Sequence, residues 1–86
     1  MNRYELRDIV SRKLKLVRVE AGFTQSQMST MLGLSKKTLV QIEKGRTLAG
    51  WGTAVVVCSL FSESETLTAA LKGKPYDVIQ KAAFHQ

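Results

Sequence analysis

The chain has little of what enzymes and metalloproteins are usually built around. Its single cysteine, Cys58, has no partner for an internal disulfide, and no Cys/His cluster exists to hold zinc. Its one histidine, His85, stands next to the C-terminal residue, and no carboxylate pair, glycine-rich phosphate loop or metal cluster stands out elsewhere. These absences argue against an enzyme and against a metal or other cofactor. Long apolar runs are missing as well. The longest, Ala54 to Cys58, is far too short to cross a bilayer. The opening residues MNRYELRDIV carry scattered charges, unlike a signal peptide. No membrane partner is expected, and the cysteine usage fits a reducing cytoplasm.

What is present is a small, basic, moderately apolar chain. Eighty-six residues with an apolar fraction of 44% make one domain, 1–86, with a modest core that oligomerisation would help stabilise. The net charge of +6 is unevenly placed. Residues 1–46 hold ten Lys/Arg against four Asp/Glu, a balance of +6, whereas residues 47–86 hold three of each. A basic half beside a neutral half points to a polyanion on one side and a different task on the other. Charge alone fits a merely solvated surface equally well.

The local patterns are helical. Asn2 and Glu5 have the spacing of a capping box, and Leu6, Val10, Leu14, Val17 and Ala21 line one face of a helix over 2–21. Ser11 could instead cap a separate helix after a short arm. Most of Arg3, Arg7, Arg12, Lys13 and Lys15 fall off that face, read as solvated charges with an approach to phosphate as the alternative for each. Gly22 ends the helix. Thr24 with Gln27 forms a second capping box, followed by Met28, Met31 and Leu32 at helical spacing. Gly33 interrupts where a sharp turn needs φ > 0. Ser35 can cap a further helix, Ser35 to Lys44, with Leu39 and Ile42 inward and Gly45 placed to end it. The unit 24–45 thus reads as helix, tight turn, helix.

This unit resembles the Cro/cI repressor-like (XRE-type) helix-turn-helix family. The match runs through Gln25, Met28, Ser29, Leu32, Gly33, Leu34, Leu39 and Ile42, and ends on Ile42-Glu43-Lys44-Gly45; Leu14 to Arg18 supply the upstream pattern. Ser29 departs from the family's usual alanine but is nearly as small. The resemblance implies an all-α, compact five-helix lambda-repressor-like DNA-binding domain with an added C-terminal helix. It also implies that Arg18 pairs with Glu43 as a structural tie, and that Gln25 contacts DNA backbone and braces the start of the recognition helix. Carried over by position, Lys36, Lys37 and Gln41 would read base edges, Val40 would meet a thymine methyl, and Ser35 and Thr38 would position the helix or meet phosphate. Arg46, with Lys44 and Thr47 as weaker candidates, would grip backbone.

Val55, Val56 and Val57 favour strand by propensity; the resemblance implies a helix with Trp51, Val55, Cys58 and Phe61 inward, Cys58 being a buried, inert thiol. Val56 and Leu60 then add apolar surface that needs cover. Ser62 with Glu65 reads as a capping box for a helix ending at Gly73, and Pro75 starts a last helix through Phe84. Segment 62–86 is expected to pack on Val56 and Leu60 and to form a homodimer contact with Tyr76, Ile79 and Phe84. The expected function is a sequence-specific double-stranded DNA-binding transcriptional regulator, a repressor by preference, working as a homodimer. The alternative is an antitoxin-like or anti-repressor module that holds a protein partner on the same scaffold.

Overall fold

The computed structural model describes residues 1–84, six helices without a strand among them. They are α1 (Arg3–Ala21), α2 (Gln25–Leu32), α3 (Lys36–Glu43), α4 (Trp51–Leu60), α5 (Glu65–Leu71) and α6 (Pro75–Phe84). This is the five-helix arrangement plus a C-terminal helix, and the Val-rich segment is helical. α1 is the spine: it packs against α3, α4, α5 and α6, while α2 packs on α3 and α4, and α6 closes over α4 and α5.

The boundaries follow local chemistry. The Asn2 side chain accepts from Glu5 N–H while Glu5 accepts from Asn2 N–H, so α1 starts on a full capping box and runs unbroken past Ser11. Thr24 and Gln27 do the same for α2. Gly33 turns the chain at φ 69°, a left-handed conformation that costs a Cβ-bearing residue about 1–2 kcal/mol. The α1 stripe Leu6, Val10, Leu14 and Val17 is fully buried and meets Met28, Leu39, Val57 and Leu67 in one core. Ala21 and Met31, expected on apolar faces, are exposed at the ends of their helices. Among the described residues no helix is long and apolar enough to cross a membrane.

Three expectations are corrected. The inward face of α4 is Ala54, Val57 and Cys58, with Trp51, Val55, Val56 and Phe61 half-buried around it. α4 touches α1, α2 and α6, so it has no single wet side to set a phase. α5 is capped by Ser64, whose hydroxyl accepts from Leu67 N–H, and not by Ser62 with Glu65. The carboxylate bonded to this helix start comes from α1, beside α5's own first-turn Glu65: Glu20 accepts from the Ser64 hydroxyl and from both the N–H and the hydroxyl of Thr66. Finally, Lys72 rather than Gly73 takes the left-handed position that stops α5.

Ser64 therefore joins two tasks, capping α5 and tying it to α1. Ser64→Ala is expected to cost about 1 kcal/mol, within the range of about 0.5–2 kcal/mol for lost caps. Urea unfolding of the purified variant measures it; an unchanged midpoint would show that the cap is dispensable.

Candidate nucleic-acid interface

α3 presents a sharply two-sided surface. Leu39 and Ile42 are buried in the core. Around the rest of the helix, Lys36, Lys37 and Thr38 are exposed, and Val40 and Gln41 are half-exposed. Lys44 and Arg46 extend the exposed surface past its C-terminal end. Among the described residues the ion pairs are Arg12–Asp8 and Arg18–Glu43, which leaves Lys36, Lys37, Lys44 and Arg46 without a carboxylate partner. The helix is shorter than expected by one residue at each end. Ser35 is its N-cap, accepting from Thr38 N–H at 3.1 Å and donating to the Thr38 hydroxyl at 2.9 Å, so both hydroxyls are engaged locally. Lys44 is the C-cap, and Gly45 follows at φ 75°.

The C-terminal end of α3 is held by a half-buried polar cluster. Arg18 Nε and Nη2 donate to the two Glu43 carboxylate oxygens at 2.7 and 3.0 Å, and Nη1 donates to the Phe23 carbonyl at 3.1 Å. The Glu43 side chain is only 4% exposed. Gln25, the first residue of α2, donates from Nε2 to Glu43 Oε1 at 3.2 Å. Gln25 therefore braces the end of α3, not its start as expected. One carboxylate thus fixes α3 against both α1 and α2. The charge is affordable in the interior because an arginine fork and an amide satisfy it together.

Burial pushes the Glu43 carboxyl upward, but hydrogen bonds from Arg18 and Gln25 and the positive charges of Arg18 and Lys15 outweigh it, so the net direction is down. Glu20 is also held down, first by the Ser64 hydrogen bond. A carboxyl whose pKa is depressed by folding stabilises the fold above its unfolded value and loses that contribution as pH falls through its folded one. The ordinary value here is 4.5. Thermal midpoints should thus be level near neutrality and fall as pH drops below that value. Glu43→Gln should flatten part of the fall, and an acid limb with wild-type steepness in that variant would exclude Glu43 as a contributor.

The other candidates are placed elsewhere. Cys58 is fully buried, and burial pushes its thiol up to about 11, which makes it a packing residue and no nucleophile at neutral pH. Of the residues expected at a dimer contact, Ile79 is 5% exposed and belongs to the chain's own core, and Val56 is half-buried against that core. Leu60, Tyr76 and Phe84 are exposed. His85 lies outside the described residues. Among the described residues no group of acidic, histidine or cysteine side chains could hold a metal ion.

Two cations of α1 expected to be merely solvated make contacts within the chain, Arg7 half-buried and Arg3 still exposed. Arg7 Nε donates to the Ala49 carbonyl at 2.9 Å, and Arg3 donates to the Ala83 carbonyl while lying 4.7 Å from the Trp51 ring centre. Ser11, which is buried, donates to the Arg7 carbonyl and accepts from Ala49 N–H at 2.8 Å. The available signal for Ser11 was its place beside Val10 and Leu14, a small polar residue on the buried side of the helix.

Comparison with known proteins agrees with this architecture. A family model described as a helix-turn-helix domain matches residues 11–74. A Pyrococcus horikoshii protein, provisionally named an HTH-type transcriptional regulatory protein, is 28% identical over 88 residues, covering 91% of this chain. The chain spans 28% of that relative's length. No solved structure matches.

Proposed function

Because the chain belongs to the XRE-type helix-turn-helix family, we propose that it is a sequence-specific double-stranded DNA-binding transcriptional regulator, a repressor, acting as a homodimer. The observation that carries the reading is the outer face of α3. Unpaired cations and an amide stand there on a helix whose opposite face is locked into the core. A major groove admits such a helix, and its base edges offer guanine N7 and O6 to lysine and a two-bond match on adenine to glutamine. Lys36, Lys37 and Gln41 read base edges, with Val40 against a thymine methyl. Arg46 and Lys44 meet phosphate. Ser35 and Thr38, occupied with each other, set the helix start. Gln25 acts through Glu43 and presents the first turn of α2, where free N–H groups suit a phosphate.

The homodimer reading is supported by apolar surface that α4 and α6 leave exposed, Leu60, Tyr76 and Phe84, as the contact for a second copy. Two copies reading a two-fold-symmetric site would place their α3 helices about 34 Å apart. Repression is then steric, by occupancy of the operator. The name of the Pyrococcus horikoshii relative supports a regulatory role for the region that this chain matches.

The test is selection from a random duplex pool at fixed salt, with the mass of the complex measured on the winning sequence. An enriched palindrome carrying two chains, with affinity falling steeply as salt rises, is the expected result. Binding without sequence preference would overturn the reading, and one chain per site would overturn the homodimer.

A further inference from the structure

The loop that joins α3 to α4, residues 44–50, carries Arg46 and Thr47, and it is pinned at two points. On the α3 side, Arg46 N–H donates to the Gln41 carbonyl and Gly45 N–H to the Ile42 carbonyl. On the α1 side, one residue of the loop has both of its backbone groups taken by side chains. Ala49 N–H donates to the Ser11 hydroxyl at 2.8 Å, and the Ala49 carbonyl accepts from Arg7 Nε at 2.9 Å. The Ser11 hydroxyl in turn donates to the Arg7 carbonyl at 2.6 Å, which fixes its lone pair toward Ala49.

Between α1 and the loop lies an open groove of about 410 Å³, whose walls include Ser11, Arg12, Lys44 and Thr47, so the loop's middle is not packed against α1. Ala49 itself is fully buried but contributes only a methyl group. On the α1 side, two directional hydrogen bonds fix the loop along the spine more closely than the packing of one methyl would.

We propose that Ser11 and Arg7 are positioning residues for DNA-backbone binding. They clamp Ala49 and thereby hold Arg46 and Thr47 where a phosphate is met. The inference rests on the DNA-binding reading above. Neither residue touches the nucleic acid; each acts through the Ala49 peptide. Arg7 must be arginine for this, because the bond uses its rigid Nε–H, which lysine lacks.

The experiment is a double-substitution cycle on the full chain with its selected duplex, comparing Ser11→Ala, Arg46→Ala and the pair. If the clamp positions Arg46, Ser11→Ala lowers affinity about threefold to tenfold, and Arg46→Ala loses most of its effect in the Ser11→Ala background. The slope of log affinity against log salt becomes less negative by up to about 1 on Ser11→Ala, as for a lost phosphate contact, with the preferred sequence unchanged. Arg7→Lys, which keeps the charge, reproduces the slope change and serves where Ser11→Ala does not fold. Additive losses with an unchanged salt slope would overturn the inference and leave Ser11 as a stability residue alone. Wild-type protein without sequence-specific binding would instead overturn the reading on which it rests.

Discussion

Arg18→Ala is expected to destabilise the fold by about 3 kcal/mol, the low end of the range for removing one partner of a buried ion pair, because this pair is half-buried. A small domain has a total of about 5–15 kcal/mol to lose, so the variant should give up a large share of its stability. The reason lies in what is left behind. Glu43, 4% exposed, would keep only the Gln25 amide for a full negative charge, and the Phe23 carbonyl would lose its donor. Arg18→Lys should recover little. The native pair uses Nε and Nη2 against two oxygens at once, a planar match that an ammonium does not make. Arg18→Met with Glu43→Leu should be much more stable than Arg18→Met alone, since an apolar pair leaves no orphaned charge. Urea titrations of the four variants beside wild type measure this. A midpoint for Arg18→Ala within error of wild type would mean that solvent reaches Glu43 and that the cluster does not hold α3.

That cluster also marks the border between what local sequence can and cannot disclose. The starts of α1 and α2 were readable because both capping boxes join residues three apart, and the turns at Gly22 and Gly33 because a left-handed residue favours glycine. The α1 stripe was readable because one long helix buries one face. The Arg18–Glu43 tie spans 25 positions and was visible only through resemblance to a family. Nothing comparable exposed the Ser11 and Arg7 bonds to Ala49, 38 and 42 residues away, or the Glu20 bonds to Ser64 and Thr66 at 44 and 46. Polar contacts between distant elements leave no period in the sequence; they depend on which helices become neighbours. α4 failed for a related reason. Its valines sit among three neighbouring helices, so burial is spread around the rod and the phase inferred for a two-sided helix was wrong.

The outer face of α3 sets the second large effect. Lys36→Ala and Gln41→Ala should each weaken binding to the selected duplex by about fivefold to 150-fold per half-site, the equivalent of about 1–3 kcal/mol for one good base contact. The fold should be nearly indifferent: Lys36 is exposed, Gln41 is half-exposed, and neither side chain makes an ion pair or belongs to the core. Stability and affinity therefore separate here, the reverse of Arg18, where both should fall together. The decisive reading is the pattern of loss across DNA sequences. A residue that reads a base relaxes discrimination at one position of the site and leaves other positions alone; a residue that meets only phosphate weakens all sequences alike and lowers the salt slope by about 1. For Gln41→Ala the expected result is loss of preference at a single base pair per half-site with the salt dependence unchanged, because an amide displaces no counterion. Lys36→Ala should change both, since its ammonium carries charge into the groove. Equal weakening on every sequence for both variants would remove α3 as the reading element and move specificity to DNA shape, with α3 contributing charge alone.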